Sequence, residues 1–226
     1  MTPLVQVGEV WRVGPHLFAC GDLEMGAGAK FLSQFVSPFL GAVHLFYADP
    51  PWNTGIARSF RSRAGLPWAS ENAPVTVDRL LAQVVTLAAK STAGDVYIEM
   101  GNQHAADLAA WMAAAGIAPT QDWSITYANG TKPSRLLCCR RVVAGASDPP
   151  VGLDSSTAPA WAIERSTNPG EVVFDCCTGL GLTAVKAIEL GRSFVGLELG
   201  PTRLARTLMR VSRVSGLQPE CAGILA

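Results

Sequence analysis

The sequence predicts one doubly wound α/β domain, with a mostly parallel sheet of seven strands and an added antiparallel hairpin. Three observations predict this fold class. Short apolar segments alternate with segments of helical periodicity, which is typical of a parallel sheet covered by helices on both faces. Residues 43–48, VHLFYA, form a continuous apolar run, as in a strand buried on both faces. Residues 129–133, NGTKP, are turn formers between two further strands and indicate a hairpin.

The other predicted elements follow in chain order. A strand is predicted at 16–20, a helix from about 28 to 40, and a polar loop at 53–76. Further helices are predicted at 77–90, 103–115, 159–165, 182–190 and 202–214. Further strands are predicted at 95–100, 123–128, 135–143, 172–176 and 193–197, the second and third of which form the hairpin.

The composition indicates one domain with a buried core. The chain has 226 residues, of which 49% are hydrophobic and 16% charged, and this balance favours a folded sheet over a disordered chain. A link rich in Gly, Ser, Asp and Pro at 144–156 separates residues 1–143 from residues 157–226. We therefore expect 1–226 to be a single domain made of two halves, without a separate target-recognition domain.

Several classes of protein are disfavoured. No apolar run approaches the roughly 18 to 20 residues that span a bilayer, and the first residues do not resemble a secretory signal, so we expect a cytoplasmic protein. None of the six cysteines lies in a C-x-x-C pair, and we predict no metal site. The formal net charge is zero, so any contact with nucleic acid must use a local basic patch.

The segment VVFDCCTGLGLTAVKAIELGRSFVGLELG, residues 172–200, is typical of a nucleoside site. An apolar strand leads into Asp175, a glycine-containing turn at 178–181 follows, and a helix starts directly after it. Such a turn lets a ligand approach the backbone, and the start of a helix offers unpaired N–H groups. The next strand ends in Glu198, whose carboxylate can accept both hydroxyls of a ribose. The alternative is a glycine turn in an unrelated α/β protein.

The second motif is Asp49-Pro50-Pro51-Trp52, which directly follows the buried strand at 43–48. The prolines fix the backbone, so the Asp49 carboxylate and the Pro50 carbonyl can be held at one spot beside the flat face of Trp52. An acceptor pair next to an aromatic plane suits a planar ring that carries an amino group. The alternative is a proline-rich strand exit with a buried tryptophan.

With both motifs present, the chain resembles the permuted beta group of amino-methyltransferases, in which a D-P-P-[YFW] motif precedes an F-x-G-x-G motif. The resemblance runs from about His16 to Val214. It implies a Rossmann-like fold that uses S-adenosyl-L-methionine to methylate an exocyclic amino group, with adenine in DNA as the favoured target. The amino group of cytosine, adenine in RNA, and a non-catalytic nucleic-acid-binding subunit remain alternatives.

The resemblance also implies roles in catalysis. Asp49 and the Pro50 carbonyl would accept hydrogen bonds from the target amino group, Pro51 would hold the loop, and Trp52 would stack on the flipped base. Hydrogen bonds of this kind favour a more tetrahedral nitrogen, and the methyl group then passes in line from sulfonium to nitrogen. No covalent cysteine is needed.

For the cofactor, the resemblance implies a bed along the glycine turn. Asp22, in Cys20-Gly21-Asp22-Leu23, would contact the adenine of the cofactor, Glu198 its ribose, and Asp175 its methionine amino group. The remaining residues implied to line the methionine and ribose are Thr157, Cys177, Thr178, Gly179 and Gly181.

The sequence departs from the family pattern at the glycine motif and in length. Cys176 and Cys177 replace the usual proline and phenylalanine, and Ala158 stands where a lysine is usual. Because only 144–156 follows the hairpin, recognition must come from elsewhere: from the loop at 53–76, from a homodimer or from a partner subunit.

Two basic segments are candidates for nucleic-acid contact, the alternative for both being ordinary solvated surface. The loop at 53–76 mixes arginines with Phe60 and Trp68, which suits phosphate contact and stacking. The basic candidates are Arg58, Arg61 and Arg63 in that loop, and Lys132, Arg135, Arg140 and Arg141 near the hairpin. An amino-methyltransferase of the kind that the resemblance implies would serve a phage or a modification system.

Overall fold

The fold is organised around a large mixed β-sheet. The computed structural model describes residues 3–23, 34–67, 69–70, 73–74, 76–127, 130–140 and 149–224. Within these ranges the strands are β1 (Glu9–Val13), β2 (His16–Cys20), β3 (Val43–Ala48), β4 (Ala69–Ser70), β5 (Ala73–Pro74), β6 (Thr92–Gly101), β7 (Gln121–Tyr127), β8 (Lys132–Cys139), β9 (Val172–Asp175), β10 (Ser193–Glu198) and β11 (Glu220–Ile224).

Helices cover both faces of this sheet. They are α1 (Thr54–Arg63), α2 (Val77–Ser91), α3 (Ala105–Ala114), α4 (Ala158–Ser166), α5 (Leu182–Glu189) and α6 (Pro201–Ser215), with 3₁₀ turns at Ser37–Phe39 and Asn102–His104. Among the described residues, no helix is both long enough and apolar enough to cross a bilayer.

The order of strands in the sheet is β11-β1-β2-β10-β9-β3-β6-β8-β7. The five central strands, from β2 to β6 in this order, are parallel, and the strands at both edges are antiparallel. The chain winds outward in opposite directions from the neighbours β9 and β3, so this pair is the switch point of the sheet. The predicted α/β class and the hairpin of β7 and β8 are confirmed.

The predicted number of strands was wrong. In the described part of the chain the main sheet has nine strands instead of seven, because β1 and β11 extend one edge. Both were missed because they are short edge strands that lack a continuous apolar run. All five residues of β11 are exposed.

The predicted loop at 53–76 was also wrong, since it contains helix α1. The side chain of Asn53 caps this helix by accepting a hydrogen bond from the Ile56 N–H at 2.8 Å. Ala57 and Arg61, four residues apart, form its buried face. The short hairpin of β4 and β5 follows.

Some predictions lie partly outside the described residues. The first half of the helix expected at 28–40 is among them, and only residues 34–36 are seen as helical, before the turn at Ser37–Phe39. The same holds for residues 128–129 in the hairpin turn and for residues 141–148, which include the start of the expected link.

The core consists of two layers that share the central strands. Phe46 and Phe174 point to the face covered by α2 and α3. Leu45 and Val173 point to the opposite face, covered by α4, α5 and α6. Leu45 pairs with Val173 and Phe46 with Phe174, which fixes the register between β3 and β9. The prediction that residues 43–48 are buried on both faces is confirmed for the four apolar side chains after His44, of which none is more than 1% exposed.

Gly94 on β6 lies where two strands approach closely. A Cβ atom added there would lie 1.8 Å from the carbonyl oxygen of His44 on β3. Backbone atoms of a central strand cannot move aside cheaply, so we expect Gly94→Ala to lower the free energy of unfolding by about 1–3 kcal/mol or more. Denaturant unfolding measures this effect. Ala93→Ser, at the exposed neighbouring position, is the control and should change stability little; equal stability of both variants would contradict the strand contact.

Candidate active site

Three carboxyl groups meet at the ends of neighbouring parallel strands. Asp49 follows β3, Asp175 ends β9, and Glu99 lies near the end of β6. All three line one cavity of about 490 Å³, which we call the large cavity. A site outside the carboxyl ends of the strands, at the switch point, is where open α/β sheets bind ligands. The juxtaposition of Asp49 and Asp175 therefore follows from the pairing of β3 with β9.

The loop after β3 holds Asp49 through its own tryptophan. The Trp52 indole N–H donates a hydrogen bond to Asp49 Oδ1 at 3.0 Å. The ring of Trp52 contacts the ring of Tyr127 edge to face, with 4.7 Å between the centroids. It also packs on Gly101, where an added Cβ would lie 3.1 Å from the indole. Pro50 is buried behind this arrangement, so the loop is held from both sides.

The glycine turn uses backbone conformations that side chains disfavour. Gly179 and Gly181 have φ angles of +60° and +78°. A Cβ on Gly181 would lie 2.5 Å from Thr207 Cγ2, so α6 packs directly against the turn. The Thr207 hydroxyl donates to the Gly179 carbonyl at 3.1 Å. Both glycines are thus required by conformation, and Gly181 also by close approach.

Glu198 organises the turn from β10. Its carboxylate accepts hydrogen bonds from the N–H of Gly179 at 2.7 Å and of Gly200 at 2.8 Å. The Arg203 guanidinium lies 3.8 Å away. Thr178 completes the turn, since its hydroxyl donates to the Asp175 carbonyl at 3.0 Å. The Glu198 carboxylate is therefore fixed at the end of β10, beside the glycines of the turn.

A second, small cavity of about 90 Å³ adjoins the first. Asp49, Cys177 and Arg203 line both cavities, so the two adjoin at these residues. Apolar side chains from different parts of the chain line the small cavity. These side chains are Leu23, Phe60, Leu80 and Leu199.

Asp22 lines the small cavity as an ion pair with Arg61, whose side chain is only 2% exposed. Arg61 also donates from Nε to the Pro67 carbonyl at 2.8 Å. The arginine fixes the position of the carboxylate, so Asp22 can present an oriented acceptor to a ligand in this cavity.

The two vicinal cysteines stand at the junction of the cavities. Cys176 is buried, Cys177 lines both cavities, and their sulfur atoms are 3.9 Å apart. The Cys177 N–H donates to Asp175 Oδ1 at 2.8 Å. A small thiol thus stands where the resemblance implies an aromatic ring. Cys177 therefore fills less of the junction than a phenylalanine side chain would.

The site is acidic, and its carboxyl groups resist ionisation. Burial raises the pKa of Asp49 to about 6 and of Asp175 to about 7. Burial, followed by repulsion from Asp49, raises the pKa of Glu99 to about 9. The pKa of Glu198 is also raised by burial, against the opposing effect of Arg203. A cation placed among these groups would be stabilised electrostatically.

Not every residue expected in the cofactor bed lies there. Thr157 is exposed and bonds to Asp154, while Ser155, Ser156 and Pro159 line the large cavity in its place. The segment before α4 therefore approaches the site as expected, but through neighbours of Thr157.

The basic residues expected to contact nucleic acid do not form one patch. Arg61 does not fit the prediction that it contacts nucleic acid. Its side chain is buried against Asp22 on the inner face of α1 and offers no surface to a phosphate. Arg135 is bound to Asp122 at 2.7 Å, and Arg58 is half-buried. Arg63 and Lys132 are exposed.

Two other basic or aromatic candidates, Trp68 and Arg141, lie outside the described residues. Arg140 lies 3.3 Å from the buried Asp95 and so helps to anchor β6.

The comparisons with known proteins agree with this geometry. Residues 159–208 match the N6_N4_Mtase family model, described as DNA methylase. The M1.HpyAVI structure superposes with a TM-score of 0.61 at 16% identity, covering 86% of this chain and 97% of that chain. A Thermus thermophilus protein described as a putative DNA modification methylase, complexed with S-adenosyl-L-methionine, gives a TM-score of 0.61 at 17% identity over 88% and 94% of the two chains. The cytosine-N4-specific PvuII DNA methyltransferase gives a TM-score of 0.62 at 11% identity over 93% and 95%.

This chain has a DNA methyltransferase fold. The matched segment 159–208 contains most of α4, then β9, the glycine turn, β10 and the start of α6, which together form one wall of both cavities. At these identities the superpositions establish the shared fold, and the candidate site at Asp49 is described from this structure alone.

Within this methyltransferase fold, the sequence did not single out Glu99, Tyr127 or Arg203. Arg203, on α6, lines both cavities and lies 4.6 Å from the centre of the Phe60 ring. Glu99 had a detectable signal, namely a carboxylate within the otherwise apolar run VYIEMG at a strand end. Tyr127 had none, since its place depends on the hairpin register.

Replacing Asp49 should stabilise the methyltransferase fold in a pH-dependent way. Its pKa is about 6 in the folded chain, above the ordinary value of 3.8, so ionisation costs stability above about pH 6 and nothing below pH 3.8. We expect Asp49→Asn, which keeps an acceptor for Trp52, to raise the free energy of unfolding at pH 8 by on the order of 1–2 kcal/mol. The gain should vanish near pH 4.

Chemical denaturation at several pH values measures this dependence. Glu164→Gln, at an exposed position on α4, is the control and should show no such dependence. A gain for Asp49→Asn that is independent of pH would contradict the assignment of the buried charge.

Proposed function

We propose that this chain is an S-adenosyl-L-methionine-dependent methyltransferase that methylates the exocyclic amino group of adenine in DNA. One observation carries the proposal: Asp49 of the Asp-Pro-Pro-Trp loop and the glycine turn after Asp175 line the same cavity. Either motif on its own is common in proteins. A glycine turn that can bind a nucleoside, next to a fixed acceptor for an amino group, suits methyl transfer to a base.

The residues present fit the cofactor. Gly179 lines the large cavity, and the absence of a side chain there lets a ligand approach the backbone of the turn, whereas Gly181 makes room for Thr207 of α6. The apolar small cavity suits an adenine ring, with Asp22 as its polar partner. Glu198 lines the small cavity beside the turn as an acceptor for ribose hydroxyls, and Asp175 lines the large cavity as a partner for an ammonium group. The large cavity, about 490 Å³, is of ordinary ligand size.

S-adenosyl-L-methionine, when bound, supplies an electrophilic methyl group on a sulfonium. Asp49 accepts a hydrogen bond from the target amino group, and its loop holds that acceptor in place through the Trp52 N–H. An exocyclic amino group is a weak nucleophile because its lone pair is delocalised into the ring. An acceptor that draws the nitrogen toward tetrahedral geometry therefore helps, and positioning supplies much of the acceleration.

The acidic cavity matches the charge changes of such a transfer. Methyl transfer would place positive charge on the target amino nitrogen until that nitrogen releases a proton, and Asp49, which accepts its hydrogen bond, would stabilise the charge. The base must leave the duplex stack to reach Asp49, which costs a few kcal/mol. Tyr127 lines the large cavity and is held edge to face by Trp52, which itself lines neither cavity, so Tyr127 is the stacking partner that returns about 1–3 kcal/mol.

Cytosine is a second candidate target, because the cytosine-N4-specific PvuII enzyme shares the fold over 93% of this chain. Adenine and cytosine both present an amino group on a planar ring. Expression in a host that lacks DNA methylation, followed by mass spectrometry of its DNA and RNA nucleosides, distinguishes N6-methyladenine from N4-methylcytosine and DNA from RNA. Unmodified nucleosides would contradict the proposal.

Asp49→Ala and Glu198→Ala should separate chemistry from cofactor binding. We expect Asp49→Ala to reduce methyl transfer at least about 100-fold while still binding S-adenosyl-L-methionine, since it removes the amino-group acceptor. Glu198→Ala should weaken cofactor binding about tenfold or more, because the ribose loses its acceptor and the N–H of Gly179 loses its partner.

Calorimetric titration with the cofactor and a tritiated-methyl transfer assay measure the two effects. A wild-type chain that does not bind the cofactor even at millimolar concentration would favour a non-catalytic nucleic-acid-binding subunit. Near-normal turnover by Asp49→Ala would show that the acceptor lies elsewhere.

Lys132 and Arg63 are two exposed basic residues next to residues that line the cavities. Lys132 starts β8 and pairs with Tyr127, which lines the large cavity. Arg63 lies over the ring of Phe60, which lines the small cavity. If each contacts one phosphate, each alanine substitution should weaken DNA binding and reduce the slope of log K against log salt by about one.

Fluorescence anisotropy over a salt series measures these slopes. Arg12→Ala, at an exposed position on the edge strand β1, is the control and should leave the slope unchanged. Equal slopes for all three variants would contradict DNA contacts by Lys132 and Arg63.

A further inference from the structure

Glu99 is a buried carboxyl group in the large cavity that methyl transfer, as proposed above, does not use. It lies near the end of β6 and is 1% exposed. Asp49 lines the same cavity from the neighbouring strand β3. The two polar contacts of Glu99 in the described chain are long: the Tyr47 hydroxyl lies 3.5 Å from Oε2, and the Ser134 hydroxyl lies 3.3 Å from Oε1. The Glu99 carboxyl group is therefore held in place, and it keeps hydrogen-bonding capacity for a ligand.

The surroundings of Glu99 favour its neutral form. Burial raises its pKa to about 9, and repulsion from Asp49 and, to a smaller extent, Asp154 acts in the same direction. Tyr47 from β3 and Ser134 from β8 donate hydrogen bonds that oppose the shift. Tyr127 faces Glu99 from β7, and Glu99 is one of the causes of the raised pKa of the Tyr127 hydroxyl. A neutral carboxyl group carries one O–H donor, whereas Asp49, with its lower pKa, acts as an acceptor.

One donor and one acceptor in the same cavity match the edge of a base. Adenine and cytosine each carry an amino group next to a ring nitrogen that accepts a hydrogen bond. A base that offers its amino group to Asp49 turns that ring nitrogen toward the same wall of the cavity. Guanine and thymine present an N–H at the corresponding ring position, which a donor would repel.

We propose that Glu99 hydrogen-bonds the ring nitrogen adjacent to the target amino group and so selects bases with an acceptor at that position. This inference rests on the proposed function, because it assumes that the base enters beside Asp49. Glu99 is then a specificity-determining residue that touches the substrate, and Ser134 and Tyr47 hold it in place.

Substrates that lack the ring nitrogen test the contact directly. After the methylated site is located in DNA from the expression host, duplexes are made with adenine or 1-deazaadenine at the target, or with 3-deazacytosine if cytosine is methylated. We expect wild type to lose about tenfold in kcat/KM on the deaza base, since the donor is left unpaired. Glu99→Ala should be slower than wild type on the natural base and should not discriminate between the two.

Glu99→Gln and Asp95→Asn are the matched variants. The glutamine amide still donates a hydrogen bond, so Glu99→Gln should recover discrimination against the deaza base relative to Glu99→Ala. Asp95 is a buried carboxyl group on the same strand that bonds to Ser166 at 2.8 Å and does not line the large cavity. Asp95→Asn should lower the melting temperature yet keep wild-type discrimination, which separates a structural loss from loss of the contact.

The pH dependence provides a second readout. Because Glu99 donates only when protonated, kcat/KM of wild type should fall as the pH rises through about 9. Glu99→Gln should not share this fall. An infrared difference spectrum between wild type and Glu99→Gln should show a protonated carboxyl band at pH 7.

Different failures have different meanings. An ionised Glu99 at pH 7, or equal wild-type rates on natural and deaza bases, would overturn the role of Glu99 while leaving methyl transfer intact. A wild type that methylates no nucleic acid in the expression host would overturn the proposed function, and the role of Glu99 with it.

Discussion

The parallel pairing of β3 with β9 is the constraint on which the site depends. Two chain segments more than 100 residues apart are aligned by Leu45 against Val173 and Phe46 against Phe174. A slip of one residue would exchange the side chains of the two core layers, so the hydrophobic pattern fixes the register strongly. With that register fixed, Asp49 and Asp175 emerge side by side. The apolar core, and not any polar contact, therefore sets the distance between the two motifs.

The site concentrates carboxyl groups at some cost to stability. Asp49, Glu99, Asp175 and Glu198 are all held where burial opposes their ionisation. The structure offsets part of the cost with donors from the backbone, from Trp52 and from the hydroxyls of Tyr47 and Ser134, and with the positive charge of Arg203. Conflicts between stability and local chemistry are expected at functional sites.

Much of the fold and about half of the site could be predicted from the sequence, for an identifiable reason. Asp49-Pro50-Pro51-Trp52 and the turn around Gly179 are contiguous, so their chemistry is visible without knowledge of the fold. The apolar runs of β3 and β9 likewise reveal buried parallel strands.

Features that depend on tertiary contacts were missed. Helix α1 was interpreted as a loop because its arginines suggested solvent, whereas Arg61 is turned inward by Asp22, a partner 39 residues away. Glu99 is a single residue without a motif, and Tyr127 reaches the site only through the hairpin register. The edge strands β1 and β11 form through pairing, and their own composition does not indicate them.

The pairing of β1 with β11 has a consequence for how such a chain can be ordered. Glu9 lies opposite Ile224, so the first and last strands of the described sheet are neighbours. The strand pairs that build the two cavities do not depend on which motif is synthesised first. A gene in which the segment from α4 to β11 preceded the segment from β1 to β8 would specify the same neighbours. The shape of the site is therefore set by which strands are neighbours in the sheet, and not by the order of the two motifs along the chain.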